Sequence, residues 1–124
     1  PAIPGRMSVS SESGIRIIDN ANSGTNAQTT IDATEYARKI SGTDEITLVI
    51  GQEAGAVCEG FPSDEIMAAV SRIRPARLIL VGDAGIGECA GIPVTRAGTL
   101  ADGTAIARSM TKQGSIVLSV KCWR

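Results

Sequence analysis

The sequence predicts an α/β domain: one three-layer unit with a mostly parallel sheet, an N-terminal β-hairpin and helices on both faces. Three observations carry this. Short β-type runs alternate along the chain with stretches of helical period, the pattern of strand–helix–strand units joined by right-handed crossovers. The run Ile46-Thr-Leu-Val-Ile50 is apolar almost without interruption, as a strand covered on both faces requires. Segments rich in Gly and small polar residues follow the strand-like runs, where an open sheet of this class gathers its loops.

Residues 7–11 and 15–19 pair as a hairpin across Glu12-Ser13-Gly14, with Ile15 and Ile17 on one face. From 25 to 40 the period becomes helical, through Ala33, Tyr36, Ala37 and Ile40, and Ser41-Gly42 ends that helix. The strand at 46–50 leads into a small-residue loop over 51–60 that holds Glu53, Cys58 and Glu59. Ser63 opens a second helix with Ile66, Val70 and Ile73 on one face, and Arg74-Pro75 stops it. A third buried strand spans 77–81 and exits into Gly82-Asp83-Ala84-Gly85-Ile86-Gly87-Glu88. An edge strand at 92–94, a helix over 100–112 packing through Leu100, Ala107 and Met110, and a strand at 116–120 complete the order.

At 124 residues this is one domain. The formal charge is -1 and the aromatics are Tyr36, Phe61 and Trp123 alone. Such a chain has neither a basic stripe nor a row of stacking rings, so nucleic acid is not expected as a partner. There is no apolar stretch near 18 residues, and Cys58, Cys89 and Cys122 lack metal spacing and an even count. The expectation is a cytoplasmic protein with reduced thiols, no membrane segment and no metal site. The chain has no histidine, which excludes His triads and His metal ligands from it. No P-loop occurs, and the only lysines are Lys39, Lys112 and Lys121. If ATP is handled, another domain must grip its phosphates. The opening Pro1-Ala-Ile-Pro4 reads as an extended linker over 1–5, with the domain proper at 6–124.

The stretch from Gly14 to Gln28 is central. An apolar strand there ends in Asp19, and small polar residues then open a helix, a junction that suits an anion or nucleotide although turn and capping residues look the same. Asp19, the loops at 51–59 and 82–88, and Lys121 all fall at strand ends and are expected on one rim.

In their order, these motifs resemble the C-terminal domain of the Mur ligase family, with its Rossmann-like fold. Pro4-Gly5-Arg6-Met7 is similar to the start of that domain, Gly14-Ile-Arg-Ile-Ile-Asp19-Asn-Ala-Asn22-Ser23 to its strand ending in Asp-x-Ala-His-Asn/Thr-Pro, and Ser115-Ile-Val-Leu-Ser-Val-Lys121 to its last strand ending in Gly-Lys. Leu48-Val-Ile-Gly51 and Leu80-Val-Gly-Asp83 stand where the family has strands leading to loops, the second of which reads the second substrate. Asn22 replaces the usual His and Gly24 the usual Pro, and only Asp83 is kept of the Asp-Asn-Pro-Arg loop. Asp-Asn-Ala-Asn-Ser-Gly-Thr instead looks like the methanogen branch, which completes the nickel tetrapyrrole coenzyme of methyl-coenzyme M reductase.

The resemblance implies an ATP-dependent ligase that activates a carboxylate as an acyl phosphate. ATP/ADP and Mg would be held largely by a preceding central domain. Partners would be the N-terminal and central domains of the same ligase and a small-molecule carboxylate. Nucleotide contacts are expected from Arg6, Asp19, Asn20, Asn22 and Ser23, and substrate contacts from Asp83, Glu88 and Lys121, with no catalytic residue in this fragment. Each has a plainer reading as a cap, a turn residue or a solvated charge. The competing expectation is a stand-alone small-ligand-binding or regulatory α/β domain without catalysis.

Overall fold

The computed structural model describes residues 7–53, 60–83 and 91–123. Strands β1 (Ser8–Glu12) and β2 (Ile15–Asp19) precede α1 (Ala27–Ser41), β3 (Ile46–Gln52), α2 (Ser63–Ile73), β4 (Arg77–Val81), β5 (Val94–Ala97), α3 (Leu100–Met110) and β6 (Ser115–Lys121). The strands form one sheet in the order β1-β2-β6-β3-β4-β5. β1 is antiparallel to β2, and all other neighbours are parallel. The expected α/β class, hairpin and mostly parallel sheet are therefore present.

Right-handed crossovers that first step outward from β2 to β4, then return from β5 to β6, require helices on opposite faces. Two cores show that division. Ile18, Leu48, Ile50, Leu78, Leu80 and Val117 pack with Ala33 and Ala37 of α1 and Ile66 and Val70 of α2. Ile17, Val49, Ile79, Val81, Leu118 and Val120 pack with Leu100 and Ala107 of α3. Neighbouring residues of one strand thus serve different layers, the period-two alternation of a strand buried on both faces.

The hairpin turns at Ser13 (φ 51°) and Gly14 (φ 81°), two positive values in succession that match the twist of the strands they join. Asn26 and Thr29 form a reciprocal capping box at the start of α1, two residues beyond the expected start of the helix. Gly42 (φ 70°) ends it as expected. β3 runs two residues past the expected 46–50, because Gly51 and Gln52 stay in register with Val120 and Lys121. β5 begins at Val94 rather than 92, and its exposed, alternating residues pair with Leu78 to Val81. α3 stops at Met110 rather than 112, since Thr111 turns to an extended conformation (φ -95°, ψ 113°) and its hydroxyl donates to the Ala107 carbonyl at 2.6 Å. α3 lies close to the sheet at Gly103, where a Cβ would be 3.0 Å from Val49 Cγ1.

Candidate functional site

The carboxyl ends of β2, β3, β4 and β6 meet along one rim. Asn22 bridges in parallel to Lys121, and Lys121 is in register with Gln52. Gln52 lies beside Gly82, where a Cβ would be 2.3 Å from the Gln52 carbonyl oxygen. Asn22, Lys121, Gln52 and Gly82 therefore stand in a row across the sheet.

The turn from Asp19 to Asn26 is built almost wholly by its own side chains. Asp19 Oδ1 accepts the Ala21 N–H at 3.0 Å. Because Ile17 and Ala21 both lie in the core under α3, alternation places Asp19 on that side. Asn20, 3 % exposed, faces the other way and donates to Thr29 Oγ1 at 3.2 Å and Ser119 Oγ at 3.1 Å. Asn22 is also buried, and its Oδ1 accepts the Gly24 N–H at 2.8 Å. The Thr25 hydroxyl donates to the Asn20 carbonyl at 2.6 Å and accepts the Asn22 N–H at 3.1 Å. Asn20 and Asn22 thus hold the loop in shape, while Asp19 and Ser23 keep partial access to solvent.

Lys121 follows Ser119 by two and so projects toward the α1 side of the rim. Its Nζ donates to the Thr25 carbonyl at 3.4 Å. It lines a pocket of about 390 Å³ with Thr25, Asn26, Gly60, Phe61, Pro62 and Glu65. A second pocket of about 290 Å³ is lined by Gln52, Gly60, Phe61, Pro62, Ser63 and Asp83. The turn at 60–62 is common to both, and the Gln52 side-chain oxygen fixes it by accepting the Phe61 N–H. Lys121 and Asp83, separated by about 40 residues of sequence to which only the sheet order gives meaning, flank one turn.

Electrostatics divide the helix starts. The first turn of α1 has no acidic residue, whereas α2 has Asp64 and Glu65 and α3 has Asp102. The partial positive charge of the α1 N-terminus is uncompensated by carboxylates of its own helix and lies beside the Lys121 ammonium. Together those groups favour an anion. Glu65 of α2 is the one carboxylate lining that pocket among the described residues. Among the described residues, no three His, Cys, Asp or Glu side chains gather as a metal site.

Two residues of the 51–59 stretch expected on the rim were assigned no role from sequence. Gln52 holds the 60–62 turn, and Glu53 joins two elements: its N–H donates to the Lys121 carbonyl at 3.1 Å and its Oε2 accepts the Leu100 N–H of α3 at 2.9 Å. Register with the last strand is the signal that would have found them. Arg6, Glu88, Cys58 and Cys89 lie outside the described residues, as does the linker at 1–5.

Residues 9–122 match the family described as Coenzyme F430 synthetase CfbE, C-terminal domain. The chain belongs to that family. It is 32% identical over 128 residues to the coenzyme F(430) synthetase of Methanosarcina acetivorans, covering 98% of this chain and 27% of that protein. The chain thus spans little more than a quarter of that relative's length. Its fold is shared with a domain assigned to a UDP-N-acetylmuramate:L-alanyl-gamma-D-glutamyl-medo-diaminopimelate ligase of Haemophilus ducreyi 35000HP, at a TM-score of 0.60 and 10% identity over 94% of this chain and 87% of that one. At that identity the likeness concerns architecture. Together these matches bear out the Mur-like C-terminal fold expected from the motif order and the methanogen coenzyme branch expected from the Asp19-Asn-Ala-Asn-Ser-Gly-Thr25 string.

Proposed function

We propose that this CfbE C-terminal domain is the nucleotide- and substrate-facing lid of an ATP-dependent ligase that activates a carboxylate as an acyl phosphate during coenzyme F430 synthesis. The observation that carries the reading is Lys121, held at the rim beside an α1 start that has no acid in its first turn. ATP, when bound, supplies the phosphoryl group that turns a carboxylate into a mixed anhydride.

This chain's own part is binding and orientation. The Lys121 ammonium offsets charge on phosphate oxygens and holds the reacting groups at the α1 side of the rim. Asp19 and Ser23 offer polar groups to the nucleotide, and Arg6 adds a cation. Asn20 and Asn22 act through the turn they shape. Asp83 faces the second substrate, the group that attacks the activated carboxylate, from beside the 60–62 turn, and Glu88 is assigned to the same substrate. Closure onto the preceding domains excludes water and completes the site. Those domains bring the phosphate loop and the Mg ligands. No helix among the described residues is long and apolar enough to cross a membrane, and we place the enzyme in the cytoplasm.

The test is Lys121→Ala in the full-length ligase. Loss of one charge-assisted contact raises KM for ATP about tenfold or more, with the melting temperature unchanged. A domain with only a ligand-binding or regulatory part would instead leave ATP consumption untouched by the substitution, and that result would refute the reading.

A further inference from the structure

We propose that Trp123 is the stacking face for the base of the nucleotide whose phosphates meet Lys121, an inference that rests on the nucleotide reading above. The chain has three aromatic side chains, and two of them serve the fold. Phe61 is 5 % exposed and Tyr36 packs against the core under α1 and α2, while Trp123 is 71 % exposed. A large indole left in water is apolar area that a flat partner recovers. Val94, the other exposed large apolar side chain among the described residues, lies on the far edge strand β5.

The position of Trp123 is fixed by its neighbours. Cys122 is buried, and its N–H donates to the Asn22 carbonyl at 3.3 Å. The Lys121 carbonyl accepts the Glu53 N–H at 3.1 Å. The chain is thus tied on one side to the Asn22 turn and on the other to the end of β3, and Trp123 follows at once. Two residues of extended chain span at most about 7 Å, so the Trp123 backbone is within that reach of Lys121. An aromatic face and a cation carried two residues apart on one chain suit a nucleoside phosphate, flat at one end and anionic at the other. A single ring is no track for a nucleic-acid strand, but it suffices for one base, since every base has a π-face.

The experiment uses the full-length ligase labelled with 5-fluorotryptophan, the position-123 fluorine signal being identified by its loss in Trp123→Phe. Mg-ADP is expected to shift that signal, whereas Mg-tripolyphosphate is expected to bind without shifting it. Trp123→Ala should weaken Mg-ADP binding about tenfold or more and leave tripolyphosphate binding unchanged, while Trp123→Phe stays within about threefold of wild type. A silent 123 signal on ADP binding, an equal response to tripolyphosphate, or unchanged ADP affinity in Trp123→Ala would overturn the proposal. So would a 123 signal already shielded from a soluble paramagnetic probe before nucleotide is added, which would assign the indole to the preceding domains. If wild-type ligase binds neither probe, the nucleotide reading itself fails and this one with it.

Discussion

Gly51 on β3 and Val81 on β4 stand so close that a Cβ on the glycine would lie 2.1 Å from the Val81 carbonyl oxygen. Gly51 also has φ 143°, a conformation that side chains disfavour. Gly51→Ala is therefore expected to cost about 3 kcal/mol or more, through both strain and a backbone collision. Urea denaturation measures this; a loss below about 0.5 kcal/mol, the range of ordinary surface changes, would show that the strand ends can spread apart.

The Thr30 and Ser119 hydroxyls, both fully buried, hydrogen-bond to each other between α1 and β6. Thr30 also donates to the Asn26 carbonyl at 2.7 Å, and Ser119 accepts from Asn20. Thr30→Val and Ser119→Ala should each cost about 1–2 kcal/mol. The double variant should lose less than the sum, with a coupling of at least about 0.5 kcal/mol. Additive losses would mean that the two hydroxyls act independently.

Glu45 has its carboxyl held below its ordinary value of 4.5, first by the Gln113 amide and then by the Arg77 guanidinium. Gln113 Nε2 donates to Glu45 Oε2 at 2.8 Å, and Arg77 Nη1 lies 3.0 Å from Oε1. Because the folded value is the lower one, the stability this group contributes is fully present above pH 4.5 and is lost as the pH falls through the folded value. Glu45→Gln should therefore flatten the acid limb of a stability-against-pH profile below that point and leave the neutral region parallel to wild type. An unchanged acid limb would contradict the assignment.

Glu53 caps α3 from another strand, beside the local cap in which Thr99 Oγ1 accepts the Asp102 N–H at 3.1 Å. Glu53→Ala is expected to lose about 1 kcal/mol, and Glu53→Gln about half of that, because it keeps an acceptor but not the charge at the helix N-terminus. Faster hydrogen exchange at the Leu100 amide would locate the effect. Equal stability of all three proteins would remove Glu53 from the list of structural links.

The layers were legible because β-branched runs and helical periods are properties of consecutive residues. The sequence marks β5 two residues early because Val94-Thr-Arg-Ala has no buried apolar residue, its place being set by pairing with β4. Gly51 reads as loop in sequence, yet it continues β3 because only a glycine tolerates the approach of Val81. Lys121 and Asp83 could be placed at the rim from strand order alone. The interior hydrogen bonds of Asn20 and Asn22 could not, since a ligand-facing amide and a loop-locking one are written with the same letters. Gln52 and Glu53 gain their roles from partners at Phe61, Leu100 and Lys121, contacts that no local pattern encodes.

β6 is the last strand in the chain but lies between β2 and β3 in the sheet. Until it is made, the first two-thirds of the domain can form a hairpin on one side and a β3-α2-β4 unit on the other, with two hydrogen-bonding edges facing an empty slot. Ile17 meets Ile116 across almost a hundred residues of sequence, so closing the sheet is slow by the logic of distant contacts. On the ribosome those edges stay open until the C-terminal segment emerges, and a chain stopped before residue 115 would present both to other chains, an invitation to aggregation.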